Sequence, residues 1–192
     1  MAIYAIEKAT QFGATIVACS DSNGYVYDKN GIDLAVVKQI KEVERKRISE
    51  YVKYHPEAEY NEDCSGIWSI PCDIALPCAT QNEIDEESAK TLVSNGVLAI
   101  GEGANMPSTL EAIDLFINSE VLFGPAKAAN AGGVAVSALE MAQNSARISW
   151  TFEEVDAKLH DIMINIYQQS MKASVEYGHP GNLVYGATLP AS

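Results

Sequence analysis

Three segments of the chain combine small residues with hydroxyl and amide side chains and could bind a polar ligand. They are residues 76–84 (LPCATQNEI), 101–109 (GEGANMPST) and 127–144 (KAANAGGVAVSALEMAQN). Each follows a predicted strand and leads toward a predicted helix. In open α/β sheets, ligands bind at such junctions because free backbone N–H groups point outward there. The spacing therefore predicts a ligand site along one edge of a sheet.

The first two segments offer groups suited to a ribose or a carboxamide. Thr80 and Gln81 carry a hydroxyl and an amide, and Asn105 can both donate and accept. Gly101 and Gly103 would let the backbone pass close to a ligand or adopt a positive φ. A plain capped turn explains residues 78–82 equally well. The repetition of an amide-bearing loop after successive strands favours the binding interpretation.

The third segment could hold a carboxylate. Ser137 lies four residues after Gly133, so one helical turn places its hydroxyl near the exposed N–H groups of that turn. Asn130 and Val134 belong to the same stretch. A serine in an alanine-rich helix can instead bond back to its own backbone, and that alternative stays open.

The elements that must position these segments alternate between strands and helices. Apolar spacing predicts a helix over residues 2–12, and buried or short strands over 15–19, 73–76, 97–100 and 121–123. A small hairpin is expected around residues 25–27. The rhythm predicts an α/β fold, Rossmann-like and three-layered, with a mostly parallel sheet.

The helices carry recognisable start signals. Asp33 can cap a charged helix running to about Lys53, and Asp85 can cap the next helix. Residues 108–111 (STLE) and 151–154 (TFEE) each have the spacing of a capping box. Residues 54–72 are expected to form a connecting loop with one short strand. A small-residue helix should then cover residues 127–144.

Composition excludes several classes of partner. The net charge is −13, with 26 acidic against 13 basic residues, which disfavours nucleic acid and anionic lipid surfaces. Four cysteines without a C-x-x-C pair and three histidines predict reduced, mostly buried thiols and no metal site. Because neither a basic leader nor an apolar run near ~20 residues occurs, a cytoplasmic protein is expected.

The three segments, in this order, closely resemble the C-terminal nucleotide-binding domain of the hexameric glutamate dehydrogenases. The resemblance extends over nearly the whole chain, as a single, partial dinucleotide-binding domain spanning residues 1–192. It implies that Thr80, Asn105 and Asn130 lie along the nicotinamide ribose and carboxamide, and Gln81 is a further cofactor-binding candidate. It also implies that Ser137 helps to hold the side-chain carboxylate of glutamate, with Gly133 and Val134 as neighbouring substrate-binding candidates.

Cofactor choice depends on the loop after the first strand. An acidic side chain there favours a free 2′-hydroxyl, and hydroxyls with basic neighbours favour a 2′-phosphate. Residues 20–22 read Ser-Asp-Ser, which looks like the NADP-using bacterial members, and Ser20 and Asp21 are therefore cofactor-binding candidates. The candidate phosphate partners are Lys41, Arg45, Lys46 and Arg47. NADP is favoured, and Asp21 keeps NAD as the alternative.

Parts of the family pattern are missing. The chain contains no glycine cluster of the G-x-G-x-x-G type before residue 20, and the first strand that would precede it is absent. The family's catalytic lysine and aspartate have no counterpart, so no catalytic residue is assigned. Residues 188–192 do not continue into the expected final helix. The expectation is a portion of a glutamate dehydrogenase, cut at both ends and inactive alone.

Two other functions stay open. Exposed sheet edges could make the chain a non-enzymatic, self-associating module, and in either case a homo-oligomer is expected. A leucine- or phenylalanine-type amino acid dehydrogenase is the third possibility. The full ATQNE and GANMP strings favour glutamate dehydrogenase.

Overall fold

The computed structural model describes residues 2–188, and the prediction for residues 189–192 lies outside that range. The chain divides into two compact units, Met1–Leu122 and Phe123–Ser192, called here the N-terminal and C-terminal units. Strands and helices alternate through the N-terminal unit, which confirms the α/β class. No helix in the described range is long and apolar enough to cross a membrane.

The N-terminal unit begins with helix α1 (Ala2–Gln11), which ends before Gly13 as expected. A three-stranded antiparallel sheet follows, in the order β1-β2-β3. Its strands are β1 (Ala18–Asp21), β2 (Gly24–Tyr27) and β3 (Glu59–Asn61). The predicted hairpin and the short strand of the connecting loop are thus both present. The first strand begins at Ala18 instead of residue 15, because no other strand in residues 2–188 pairs with residues 15–17.

The prediction of a single long helix from Asp33 to about Lys53 is wrong. Asp33 does cap helix α2 (Leu34–Lys38), accepting from the N–H groups of Ala35 and Val36. The chain then widens into a π-turn (Gln39–Val43) and turns left-handed at Arg45, where φ is 53°. It resumes as a 3₁₀ turn (Ile48–Glu50) and helix α3 (Tyr51–Tyr54). The interruption places apolar side chains in one core: Val26, Val37, Ile40, Ile48, Tyr51 and Ala58.

A parallel sheet in the order β4-β5-β6 carries two of the three segments singled out in the sequence. A 3₁₀ turn (Cys64–Ser69) precedes β4 (Ile74–Ala75), which pairs in parallel with β5 (Ala99–Gly101). Strand β6 (Leu122–Gly124) begins where the Leu122 N–H donates to the Leu98 carbonyl at 3.0 Å. Gly101 packs closely, since a Cβ there would lie 3.0 Å from Leu76 Cδ2, which would have to shift by a few tenths of an ångström.

Helices α4 (Glu86–Ser94) and α5 (Leu110–Asn118) follow the two parallel strands and pack against each other. Asp85 caps α4 as expected, accepting from the Ser88 N–H at 2.9 Å. The capping box predicted at residues 108–111 is wrong. Thr109 is the N-cap, while Ser108 is buried and its N–H donates to Glu102.

The C-terminal unit is helical after β6. The expected small-residue helix is split into α6 (Ala126–Ala129) and α7 (Ala131–Ala146), with Asn130 at the junction. Thr151 and Glu154 form the second predicted capping box, which opens the 25-residue helix α8 (Phe152–Glu176). Helix α9 (Leu183–Thr188) packs on α8.

Candidate functional site

The loops after β4 and β5 are joined by backbone hydrogen bonds. The Pro77 carbonyl accepts from the N–H groups of Gly103 and Ala104, both at 3.0 Å. Further along, the Asn82 N–H donates to the Met106 carbonyl at 3.0 Å. The two loops therefore form one hydrogen-bonded backbone segment at the carboxyl ends of the parallel strands. We call residues 77–84 and 101–108 the double loop.

The double loop places three of the predicted residues, Thr80, Gln81 and Asn105, on adjoining segments of backbone. Gln81 and Asn105 each immediately precede the two residues, Asn82 and Met106, whose backbones are hydrogen-bonded. Thr80, Gln81 and Asn105 are all exposed. Hydroxyl and amide groups suited to a ribose or a carboxamide are thus presented side by side on a braced backbone.

The backbone of the double loop is left-handed at two positions. Asn82 has a φ of 56° and Met106 a φ of 51°. Asparagine tolerates this conformation, but a methionine Cβ is strained in it. Gly101, where the sequence allowed a positive φ, is not in that region. The strain falls instead on Met106, whose carbonyl is the acceptor that joins the loops.

Glu83 stabilises the first loop through hydrogen bonds of its carboxylate and its carbonyl. Its carboxylate accepts from the Ala79 N–H at 2.9 Å, and its carbonyl accepts from Trp68 Nε1 at 3.0 Å. Burial raises the pKa of Glu83, and the backbone N–H groups of Ala79 and Thr80 partly oppose that rise. Sequence reasoning missed this residue because its role depends on contacts across the folded loop.

The thiol in the double loop is a poor nucleophile. Burial raises the pKa of Cys78, and the nearby Glu83 charge raises it further. The pKa of Cys19 rises to about 12 through burial and the Asp21 charge, with Lys41 opposing. All four cysteines are free, but each is only partly buried, so the prediction of mostly buried thiols is wrong.

Asp21, at the end of β1, is held by a set of donors. Lys41 Nζ and the Ile48 N–H donate to its Oδ2 at 2.7 and 2.8 Å, and the Asn23 N–H donates to Oδ1 at 3.0 Å. Burial opposes ionisation, yet these hydrogen bonds keep the pKa of Asp21 below its usual range. The Asp21 carboxylate, which left NAD as the alternative cofactor in the sequence analysis, is thus hydrogen-bonded within the protein.

Hydroxyl and basic groups surround that carboxylate. Ser20 is half-buried in β1, and Arg47 donates to the Ser22 hydroxyl at 2.6 Å. An open depression of about 540 Å³ lies beside them, lined by Lys41, Glu42, Arg45, Lys46 and Arg47. The four basic residues predicted from the sequence therefore border one depression, and Arg45 has no ion-pair or hydrogen-bond partner in residues 2–188.

The predicted residues of the C-terminal unit lie at the start of α7. Asn130 is its N-cap, and Gly133, Val134 and Ser137 are exposed on its first two turns. The Ser137 hydroxyl donates to the Gly133 carbonyl at 3.1 Å, which is the back-bonded alternative raised from the sequence. That hydroxyl stays able to accept a hydrogen bond. No Cβ contact would form within 4 Å at Gly133, so open space adjoins this turn.

Comparisons with known proteins agree on one family. The family model described as Glutamate/Leucine/Phenylalanine/Valine dehydrogenase matches residues 1–191. The chain is 51% identical to the NADP-specific glutamate dehydrogenase of Helicobacter pylori strain J99, over 98% of this chain and 44% of that protein. It is also 51% identical to the NAD(P)-specific glutamate dehydrogenase of Xylanibacter ruminicola, over 98% of this chain and 43% of that protein.

A solved structure shows the same fold. Glutamate dehydrogenase of Plasmodium falciparum superposes with a TM-score of 0.91 at 43% identity, covering 96% of this chain and 40% of that one. The chain spans less than half the length of the relatives it matches. Sequence, fold and the order of the three segments agree, and the chain belongs to the Glutamate/Leucine/Phenylalanine/Valine dehydrogenase family of amino acid oxidoreductases.

Proposed function

We propose that the chain is the dinucleotide-binding portion of an NADP-linked glutamate dehydrogenase. The whole enzyme would convert L-glutamate, NADP and water to 2-oxoglutarate, ammonia and NADPH. The observation that carries this proposal is the double loop, where Thr80, Gln81 and Asn105 are exposed on hydrogen-bonded backbone at the ends of parallel strands. Curated relatives at 51% identity bear the matching names.

The residues present fit a dinucleotide. Amide and hydroxyl groups on the double loop can bind a ribose and a carboxamide, and the loop bracing keeps them in place without a ligand. When bound, the nicotinamide ring would accept the hydride. The chain's own contribution is to orient the ring and ribose. Asn130 is proposed for the same cofactor, and Ser137, Gly133 and Val134 for the substrate carboxylate.

Cofactor selectivity follows from the engagement of Asp21. An acidic side chain that selects NAD must be free to accept from the ribose hydroxyls. Here Lys41 and the Ile48 N–H donate to the Asp21 Oδ2, and Arg47 donates to the neighbouring Ser22 hydroxyl. Arg45 lines the same depression and could bind a phosphate. This arrangement favours a 2′-phosphate, with Ser20 and Asp21 shaping the pocket around it.

A calorimetric titration of the purified chain with NADP and, in parallel, NAD tests the proposal. We expect saturable binding that is tighter for NADP. The Arg47→Gln variant should weaken NADP binding and leave NAD binding unchanged, because only the phosphate needs the guanidinium. Equal affinities, or a variant that weakens both dinucleotides alike, would contradict NADP selection.

The isolated chain should not turn over glutamate, since no catalytic acid or base is assigned within it. Steady glutamate-dependent NADPH formation would contradict this expectation. Comparing glutamate with leucine and phenylalanine in the whole enzyme would decide between the proposed substrate and the other amino acids of the family. Cytoplasmic location and homo-oligomerisation stay predictions.

One observation favours the non-enzymatic alternative. Large apolar side chains of the parallel strands and their flanks are exposed, among them Ile74, Leu98 and Leu122. Such a surface promotes association whether or not a cofactor binds. Absence of binding by either dinucleotide together with self-association would favour this function over the first.

A further inference from the structure

A cluster of metal-ligand side chains lies in the N-terminal unit, in a part of the chain that the proposed dinucleotide site does not use. Asp28 follows β2, His55 ends α3, and Glu57 lies two residues further on. One ligand atom from each of these residues lies within 4.8 Å of the others. We propose that Asp28, His55 and Glu57 bind a divalent transition-metal ion, Zn²⁺ by preference.

Asp28 is the anchor of this cluster. Its side chain is buried, with only 2% of the residue exposed. One carboxylate oxygen accepts from the Asn30 N–H at 2.9 Å, and the other accepts no hydrogen bond from residues 2–188. That second oxygen is not among the fully buried polar atoms of the described range, so it stays open to solvent or to an ion. Asp28 thus offers one free carboxylate oxygen within 4.8 Å of ligand atoms of His55 and Glu57.

The backbone keeps Asp28 in this position. Its N–H donates to the Val17 carbonyl at 2.8 Å, and its own carbonyl accepts from the Gly31 N–H at 3.0 Å. Because both backbone groups are bonded, the main chain at Asp28 is fixed at the end of the hairpin, and its carboxylate is further held by the Asn30 N–H. The fold thus holds one metal ligand in place before any ion binds.

The His55 ring lies between two carboxylates. Its Nδ1 lies 3.5 Å from Glu57 Oε1, and its Nε2 lies 3.6 Å from Asp33 Oδ2. The ring stacks on Tyr51, with centroids 4.8 Å apart. A histidine ligand commonly donates its second N–H to a carboxylate, which fixes the ring. We assign Nδ1 as the ligand and Asp33 as that supporting carboxylate.

The charge at the cluster is unbalanced. Three carboxylates, those of Asp28, Asp33 and Glu57, face a single imidazole. In the described range no lysine or arginine forms an ion pair with them; Lys38 pairs with Glu7 and Lys53 with Glu50. A divalent cation would neutralise this excess.

The ligand set selects the class of metal. Imidazole with carboxylates suits Zn²⁺ and related ions, whereas Mg²⁺ and Ca²⁺ prefer oxygen ligands alone. Zn–N and Zn–O bonds of about 2.1 Å place tetrahedral ligands about 3.4 Å apart. The 3.5 Å between His55 Nδ1 and Glu57 Oε1 matches that separation. Glu57 is exposed and can adjust, and solvent would supply the fourth ligand.

Sequence reasoning predicted no metal site because the ligands do not form a spaced motif. Asp28 is 27 residues from His55, and only the fold places it beside the His-x-Glu pair. The ion would link the end of the β-hairpin to the end of α3.

Titration of the metal-free chain with ZnCl₂ in a calorimeter, and with CoCl₂ in a spectrophotometer, tests this site. We expect one ion per chain, with visible cobalt bands of a four-coordinate site and no intense near-ultraviolet thiolate charge transfer. His55→Gln and Asp28→Asn should abolish saturable binding. Asp33→Asn, which keeps an N-cap side chain, should weaken it by about 10- to 100-fold.

Matched controls separate ligation from general effects. His160→Gln removes an exposed imidazole that stands 3.9 Å from one carboxylate, and Glu59→Gln removes an exposed carboxylate of β3. Both should bind the metal as the unaltered chain does. Glu57→Gln serves if Asp28→Asn fails to fold, since Glu57 is on the surface. No saturable binding, binding that survives His55→Gln, or thiolate bands would each overturn the proposal.

Discussion

At the scale of single residues, Asp21 shows how a binding candidate can also be a structural anchor. Two of its three donors, Lys41 Nζ and the Ile48 N–H, come from residues 20 and 27 positions away, so the carboxylate ties β1 to the interrupted helical segment. The same bonds occupy its Oδ2, which we propose favours NADP over NAD.

The pH dependence of Asp21 can be tested with Asp21→Asn. The folded pKa of Asp21 is lowered, so its stabilisation is present above the ordinary carboxyl pKa of about 4 and is lost as pH falls through the folded value. We expect the variant to lower the free energy of unfolding by about 1–3 kcal/mol at pH 7, because charged donors lose their acceptor. Urea unfolding should show this difference shrinking as the pH falls from 5 toward 2; a constant difference would contradict it.

Asn105 can be tested for a direct ligand contact. Asn105→Ala should weaken dinucleotide binding about tenfold, the effect of losing about one hydrogen bond. The free energy of unfolding should stay within about 0.5 kcal/mol, since the side chain is exposed. The matched control is Asn118→Ala, an exposed asparagine at the end of α5, which should leave binding unchanged. Equal weakening in both variants would refute a specific role.

At the scale of elements, several boundaries are determined by local chemistry and others by contacts. Caps at Asp33, Asp85 and Thr151 begin helices where the sequence predicts. The breaks at Arg45 and Asn130 have no comparable local signal. Local propensity does not favour left-handed backbone at non-glycine residues, so contacts elsewhere in the fold must impose it.

The end of α7 offers a test of that strain. Arg147 is the C-cap with φ 55° and ψ 40°, a conformation in which glycine avoids the Cβ clash. Arg147→Gly should raise the free energy of unfolding by about 0.5–1 kcal/mol in thermal or urea denaturation. Arg147→Ala removes the same side chain but keeps the Cβ, so it should give no gain. A gain of equal size from alanine would show that the charge, not the backbone, matters.

At the scale of the whole molecule, acidic charge and exposed apolar surface oppose each other. The net charge of −13 favours separate chains, while the exposed Ile74, Leu98, Leu122 and other large apolar residues favour association. Salt screens the repulsion and leaves the apolar attraction in place.

Self-association should therefore increase with ionic strength. Sedimentation velocity at several concentrations is expected to show a larger associated fraction at about 0.5 M salt than at about 0.02 M, because the Debye length falls to a few ångströms. Leu98→Lys, on the exposed flank of β5, should reduce the associated fraction. Lys127→Leu, at an exposed position of α6, makes the opposite exchange of a charged for an apolar side chain away from this surface and serves as the control. A single monomeric species under every condition would refute the association.

The sequence by itself determined the α/β class, three helix caps, the free thiols and the family, because these depend on local periodicity and on ordered motifs. It also placed Thr80, Gln81 and Asn105 in loops after strands, as the structure shows. The tertiary structure alone decided that Lys41 and Ile48 engage Asp21, that Met106 joins the two loops, and that Asp28 meets His55. Each of these contacts joins residues separated by 20 or more positions, so its energy exists only once the chain has folded.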